Sequence, residues 1–244
     1  MSTRFERGAR IVVRWNGKRV GGRISQVVSA WRYRVVTDGN RRLEVSRRDL
    51  RRGREQVLIL ETRLDRELHS SRHSGTFLRE FLGTYGIRTL YERVHTRGDL
   101  ERFLDLARGR PNIPYVHIVA HGRVKDRSTL RLTFDELDLH RQAGIFRQLD
   151  GKVLIFSSCD IGADRPTMER ILDFSRARAV IGYTKEIDDA YSYLAESLLY
   201  GLLLDSSLSP AEIVKRVKLA LRQIRLRRTE TAREVNCPLV CFQR

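Results

Sequence analysis

The chain has few cysteines and no long apolar run, and both absences exclude classes of protein. Three cysteines among 244 residues, without a paired spacing, do not provide the disulfide framework of a small secreted protein. The longest apolar run, Leu198 to Leu204, is about seven residues and contains a glycine, which is too short to span a membrane. Residues 1–8 are polar and charged, unlike a secretory signal peptide, so we expect a cytoplasmic protein.

Acidic residues are scarce relative to basic ones, and the resulting charge is unevenly distributed. The chain has 47 Lys and Arg against 30 Asp and Glu, a net charge of +17. Residues 1–54 alone hold 16 basic and four acidic residues, so +12 of that charge lies there. Such a field attracts polyanions and speeds association with acidic partners, although it does not determine the fold.

Two common kinds of ligand site are not indicated by the sequence. Neither standard spacing of a glycine-rich phosphate loop occurs. Cys237 and Cys241 have a C-x3-C spacing but no second pair of ligands, so a zinc site is disfavoured. We therefore predict no cofactor and no metal.

The first 54 residues read as a small antiparallel β-barrel. The pattern predicts four short strands separated by turn residues such as Asn16-Gly17 and Asp38-Gly39-Asn40: residues 10–14, 18–27, 31–37 and 41–45. Residues 47–54 follow as a predicted basic linker, and the barrel resembles Tudor-like small barrels. Trp15, Trp31 and Tyr33 lie among its arginines, an arrangement that suits nucleic-acid stacking, a cage for a methylated cation or an ordinary core. The charge favours nucleic acid or an acidic protein over a cationic ligand.

From residue 56 onward, short apolar strands alternate with helical patterns. This alternation predicts an α/β fold with an open, mostly parallel sheet flanked by helices. The predicted strands cover residues 57–60, 87–94, 115–120, 130–132, 153–156, 179–183 and 239–242. The predicted helices cover residues 77–85, 100–107, 139–149, 168–174 and 188–204, with a last one opened by the capping box Ser209-Pro210-Ala211-Glu212.

Two of these strands end in residues that can perform chemistry. One ends in His121-Gly122 and another in Ser157-Ser158-Cys159. Function gathers at the carboxyl ends of parallel strands, so neighbouring strands would bring the two side chains together. A histidine beside a cysteine stabilises the thiolate and protonates the leaving amine, while the amides of Gly122 and Cys159 suit an oxyanion hole.

Each residue also has a structural interpretation. A cysteine after an apolar strand is most often a small core residue, and a lone histidine at a strand end is common. The two together, each followed by small or turn residues, favour catalysis. His117 lies within its strand instead, and we interpret it as a core or near-surface histidine.

The strand–His-Gly and strand–Ser-Ser-Cys pair, 38 positions apart, resembles the caspase-like cysteine peptidases and most closely their CHAT branch. The strand at 179–183, the Asp-started helix and the Pro210-Ala211-Glu212 step follow in the family's order. The resemblance covers roughly residues 55–244 and implies His121 as general acid/base, Cys159 as nucleophile and the amides of Gly122 and Cys159 as oxyanion donors. The chain departs from the family in having Ser157 where metacaspases have Asp and caspases Gln, and in having a basic barrel instead of a tetratricopeptide array.

The resemblance also implies where a substrate side chain would bind. Three segments would form this pocket. The turn after the first strand offers Arg63, and the position two before the cysteine is Ser157. The loop after residue 183 offers Glu186, Asp188 and Asp189. The acids favour a basic side chain before the scissile bond. A preference for an acidic or a small apolar substrate side chain remains open, because the role of helix N-cap would by itself explain an aspartate at position 188 or 189.

Together these features predict a barrel over residues 1–54 and a caspase-like peptidase domain over residues 55–244. The predicted function is a cysteine endopeptidase with a protein substrate, activated by a partner or ligand and used in prokaryotic defence or cell death. The alternative is a nucleic-acid-binding protein whose peptidase-like domain is an inactive scaffold. A third hypothesis has the basic barrel dock the catalytic domain onto another protein.

Overall fold

The structure, a computed structural model, describes residues 5–16, 18–37, 40–52, 56–64, 74–124, 128–205, 208–222 and 237–244. Residues 53–55, where we predict the boundary between the two domains, lie outside this part of the chain. None of the described helices is long and apolar enough to cross a lipid bilayer.

The N-terminal residues form a curled antiparallel sheet whose strands match the predicted β-rich runs. Its strands are β1 Arg10–Trp15, β2 Lys18–Val27, β3 Arg32–Thr37, β4 Arg42–Ser46 and β5 Leu50–Arg52. They lie in the order β4-β3-β2-β1-β5. Alternate side chains such as Ile11, Val13 and Val35 point to one face and form a small buried core.

Two details of the N-terminal prediction are wrong. Instead of a basic linker, Arg47–Asp49 form a 3-10 turn and Leu50–Arg52 pair with β1 as a fifth strand. The arginine-rich segment Leu50–Arg52 thus joins the sheet, because Leu50 is buried in the core of that sheet. Among the described strands, β4 and β5 are the two edges and do not pair, so the sheet is an open half-barrel instead of a closed barrel.

The remaining strands confirm the α/β prediction. They are β6 Gln56–Glu61, β7 Arg88–Arg93, β8 Tyr115–Val119, β9 His121–Val124, β10 Ser128–Arg131, β11 Glu136–Asp138, β12 Val153–Ser157, β13 Ala179–Tyr183 and β14 Leu239–Gln243. Six of them form the main sheet in the order β14-β13-β12-β8-β6-β7. The first five along the chain are parallel, and β14 runs antiparallel to β13. Strands β9 to β11 form a separate antiparallel sheet.

Helices cover both faces of the main sheet. They are α1 Ser74–Thr84, α2 Arg97–Arg108, α3 Arg165–Ser175, α4 Asp189–Asp205 and α5 Pro210–Arg222. Leu58 and Leu60 pack in the core that includes α2 and α3, whereas Val57 and Ile59 pack in the core that includes α1, α4 and α5. The capping box predicted for α5 forms, since Ser209 Oγ accepts from Glu212 N at 3.3 Å and Glu212 Oε2 accepts from Ser209 N at 3.0 Å.

The helix predicted over residues 139–149 is wrong. The segment consists of turns around a 3-10 helix at Ala143–Phe146. Leu139, Phe146 and Leu149 are all buried. The apolar spacing of this segment therefore reflects burial and not a helical backbone. Gln148, with a φ of 57°, turns the chain away from a helical path.

Candidate active site

Strands β8 and β12 bring His121 and Cys159 to the same edge of the main sheet. The two strands are parallel neighbours, and Ser157 is paired with Val119. His121 and Cys159 each lie two positions beyond that pair, and the pairing continues through a 3.3 Å hydrogen bond from Ala120 N to the Ser157 carbonyl. Both side chains line one small cleft of about 50 Å³.

The main chain after each strand end is closely packed. Asp160 takes a left-handed conformation with a φ of 62°, which turns the chain sharply after Cys159. Gly122 lies directly against this turn, because a Cβ atom at Gly122 would stand 2.2 Å from the Cys159 carbonyl oxygen. The predicted oxyanion donors, the amides of Gly122 and Cys159, therefore belong to two segments in main-chain contact. Their use as oxyanion donors stays a prediction.

A main-chain carbonyl orients the imidazole of His121. His121 Nε2 donates a hydrogen bond to the carbonyl oxygen of Leu64, in the segment that follows β6. In the neutral ring this bond places the proton on Nε2 and leaves the lone pair on Nδ1, so Nδ1 is the atom able to take a proton. The Leu64 interaction was not predicted from the sequence. Every residue has the same main-chain carbonyl, so the sequence does not indicate which one accepts from His121.

The end of β6 is anchored by a buried carboxylate. Glu61 is buried, and its Oε1 accepts from the amide of Gly75 at 2.8 Å while its Oε2 accepts from the Tyr91 hydroxyl. A carboxylate at the start of α1 is favoured by the positive end of the helix dipole. This anchor fixes the strand three residues before Leu64, whose carbonyl holds His121.

The Cys159 thiol points toward a main-chain carbonyl of the loop before α4. Its Sγ lies 3.9 Å from the carbonyl oxygen of Ile187, toward which it donates. Burial raises the pKa of the thiol, and the charges of Glu186 and Asp160 raise that pKa further, against the lowering effect of the Ile187 contact. A raised pKa favours the protonated thiol over the thiolate.

Alkylation of Cys159 should therefore depend steeply on pH. We expect the rate with iodoacetamide, read by peptide mass spectrometry, to keep rising through pH 8.5 because the thiolate is the reacting form. Glu186→Gln removes a nearby negative charge, lowers the pKa of Cys159 and should increase the rate at pH 7.5 by about two- to five-fold, the size of one screened interaction. Glu80→Gln, which removes an exposed carboxylate on α1, is the control. A midpoint below pH 7 would show that a thiolate already exists at rest.

The residues predicted to bind the substrate side chain are partly brought together. Ser157 is buried and lines the cleft with Asp188 and Asp189. Asp188 also caps α4, since its Oδ1 accepts from Tyr191 N at 2.7 Å. Glu186 is exposed, and neither it nor Arg63 is among the described residues that line the cleft. Ser192 lines the cleft without having been predicted from the sequence.

The other histidine and cysteines noted in the sequence lie outside the cleft, in buried or partly buried positions. His117 is fully buried between Glu196 and Tyr200, with 3.3 Å to an atom of each, as the core interpretation predicted. Cys237 is buried, and burial raises the pKa of Cys241 to about 12. In the described residues, no three His, Cys, Asp or Glu side chains are grouped so as to hold a metal ion.

No protein-family model matches the chain, and no curated protein matches it either. The fold is α/β, with a cysteine and a histidine at the carboxyl edge of a mostly parallel sheet. Function is therefore inferred from the geometry and chemistry of this site.

Proposed function

We propose that the protein is a cysteine endopeptidase of the CHAT-type, caspase-like class. The observation that carries the proposal is the placement of His121 and Cys159 in one cleft at the ends of neighbouring parallel strands. The Leu64 carbonyl supports it, because it fixes the imidazole tautomer that a general base requires. The sequence resemblance to caspase-like peptidases assigns the same two residues the same roles.

The chemistry follows from these groups. Nδ1 of His121 takes the thiol proton, and the Cys159 sulfur attacks the peptide carbonyl carbon. The negative charge that forms on the carbonyl oxygen is assigned to the amides of Gly122 and Cys159. His121 then gives its proton to the leaving amine, which leaves a thioester. Water, deprotonated by His121, attacks the thioester and releases the new carboxyl end and the thiol.

Two features support an inactive resting state of the proposed enzyme. The Cys159 thiol donates toward the Ile187 carbonyl, and burial raises the pKa of that thiol. Catalysis would then require that Cys159 leave this contact. We assign that change to the binding of a partner or ligand, with the N-terminal half-barrel as the docking part. A role in prokaryotic defence or cell death rests on the resemblance alone.

The acids at the cleft favour a basic side chain before the scissile bond. Asp188 and Asp189 line the cleft beside the neutral Ser157. A carboxylate facing a guanidinium or ammonium group, once water is excluded, discriminates strongly against neutral side chains. Arg63, which would favour an acidic side chain, is not among the lining residues. We therefore propose cleavage after Arg or Lys.

Profiling the cleavage of a peptide library tests activity and specificity together. We expect products ending in Arg or Lys, and an Asp188→Asn/Asp189→Asn variant should lose roughly 10²-fold in kcat/KM for them. Asparagine keeps the helix cap while removing the charge, so folding is preserved.

The matched control is Glu80→Gln/Glu136→Gln, which neutralises two exposed carboxylates elsewhere. Products ending in Asp, Leu or Met would show that the specificity proposal is wrong while supporting a peptidase. Absence of any Cys159-dependent cleavage would favour the alternative function, nucleic-acid binding with an inactive scaffold.

A further inference from the structure

The outer face of the N-terminal half-barrel carries arginines that the proposed active site does not use. Side chains alternate along β1 and β3, and Ile11, Val13, Tyr33 and Val35 are buried in the small core. The residues between them project from the opposite face. We call three exposed residues of that face the arginine face: Arg32, Arg34 and Arg42.

The arginine face is accessible and only partly neutralised. The side chains of Arg32 and Arg34 are 71% and 57% exposed. Both face the same carboxylate, Glu44, at 3.6 and 3.7 Å. One acid shared by two arginines leaves a net positive surface, and exposed ion pairs of this kind are weak enough to be exchanged for a ligand. Arg23 is excluded from the face because its guanidinium donates to the carbonyl oxygens of Gly8 and Leu203.

An exposed tryptophan lies directly beside these arginines. Trp31 precedes Arg32 and is 69% exposed, although it is one of the largest apolar side chains available for a core. Of the other aromatics noted in the sequence, Tyr33 is fully buried against Phe5. Trp15 lies at the other end of β2, since Trp15 pairs with Lys18 and Tyr33 with Val27. Trp15 and Trp31 are therefore too far apart to form one aromatic cage.

We propose that the arginine face and Trp31 bind single-stranded nucleic acid. Arginine contributes 15 of the 16 basic residues in positions 1–54, and its planar fork matches a phosphate bidentately where lysine offers only a point charge. Trp31 offers a flat ring on which an unpaired base stacks, and stacking of this kind tolerates any sequence. The inference does not depend on whether Cys159 is catalytic.

Fluorescence anisotropy with a fluorescein-labelled oligo(dT) of about 20 nucleotides tests the proposal on the full chain. We expect log affinity to fall linearly with log salt concentration. Arg32→Ala/Arg34→Ala should weaken binding about ten-fold or more and reduce the slope by about 1.4, which corresponds to two single-strand phosphate contacts. Trp31→Ala should weaken binding about ten-fold without changing the slope, because stacking releases no counterion.

Two further variants make the test specific to this face. Arg102→Ala/Arg216→Ala removes the same charge from exposed positions on α2 and α5, and its affinity should stay within about two-fold of the parent. Glu44→Gln frees Arg32 and Arg34 from their shared partner and should tighten binding. Unchanged melting temperatures of the variants would verify folding.

Several results would overturn the inference. Equal losses in both double-arginine variants would show that net charge, and not this face, attracts the oligonucleotide. No binding at 50 mM NaCl would reject it outright. Equal or tighter binding of poly-glutamate or of phosphatidylserine vesicles would assign the face to an acidic protein or to a membrane. Binding of a duplex alone, with no effect of Trp31→Ala, would contradict the stacking contact.

Discussion

Replacing Cys159 by alanine should abolish peptide cleavage while leaving the protein folded. We expect kcat/KM to fall by about 10⁴-fold or more, because no other group at the cleft can form the thioester. Cys159 is partly buried, and the hydrogen bond that its thiol donates to the Ile187 carbonyl is long at 3.9 Å. Its loss should therefore change the melting temperature little. Cys241→Ala, which removes a thiol in β14 outside the cleft, is the matched control and should retain activity.

His121→Ala should cause a loss of similar size, and the two substitutions should not add. A nucleophile without its base and a base without its nucleophile are both inactive, so the double variant should lose little more than either single variant. His121 is exposed and pairs with a carbonyl, so its removal leaves no buried charge behind. Losses that multiply would mean that the two side chains act separately. Full activity in Cys159→Ala would end the peptidase interpretation.

Gly122→Ala should disturb the site by steric means alone. The added Cβ would lie 2.2 Å from the Cys159 carbonyl oxygen and 2.6 Å from Cγ1 of Ile161. Since the first of these atoms is main chain, the turn that carries Cys159 has to move. Overpacking of this kind lowers the free energy of unfolding by about 1–3 kcal/mol. A displacement of about 1 Å at reacting atoms costs about 10²-fold in rate.

Gly144→Ala is the matched comparison for this substitution. A Cβ at Gly144 would meet nothing within 4 Å, so the same chemical change should leave both stability and activity almost unaltered. Denaturant unfolding measures the first quantity and kcat/KM the second, while alkylation of Cys159 reports displacement of the turn independently of peptide cleavage. Equal effects of the two substitutions would show that Gly122 is not a tight contact in solution.

Much of the fold was predictable because its signals are local. The strands β8 and β12 are short apolar runs that are buried along their whole length, and such runs indicate strands covered on both faces. Asp188 or Asp189 was predicted as the cap of α4, and it is the Asp188 carboxylate that accepts from Tyr191 N. The prediction failed over residues 139–149, where packing against neighbouring elements buries apolar residues without forming an α-helix.

The sequence by itself determined that a histidine and a cysteine follow two buried strands. The tertiary structure alone decided that those strands are neighbours, that Leu64 accepts from His121, and that the Cys159 thiol points to Ile187. The physical reason is that local patterns report burial and backbone direction, whereas these contacts join residues 57 and 28 positions apart through main-chain carbonyls. A carbonyl is the same in every residue, so only the packing of the segments determines which one a side chain meets.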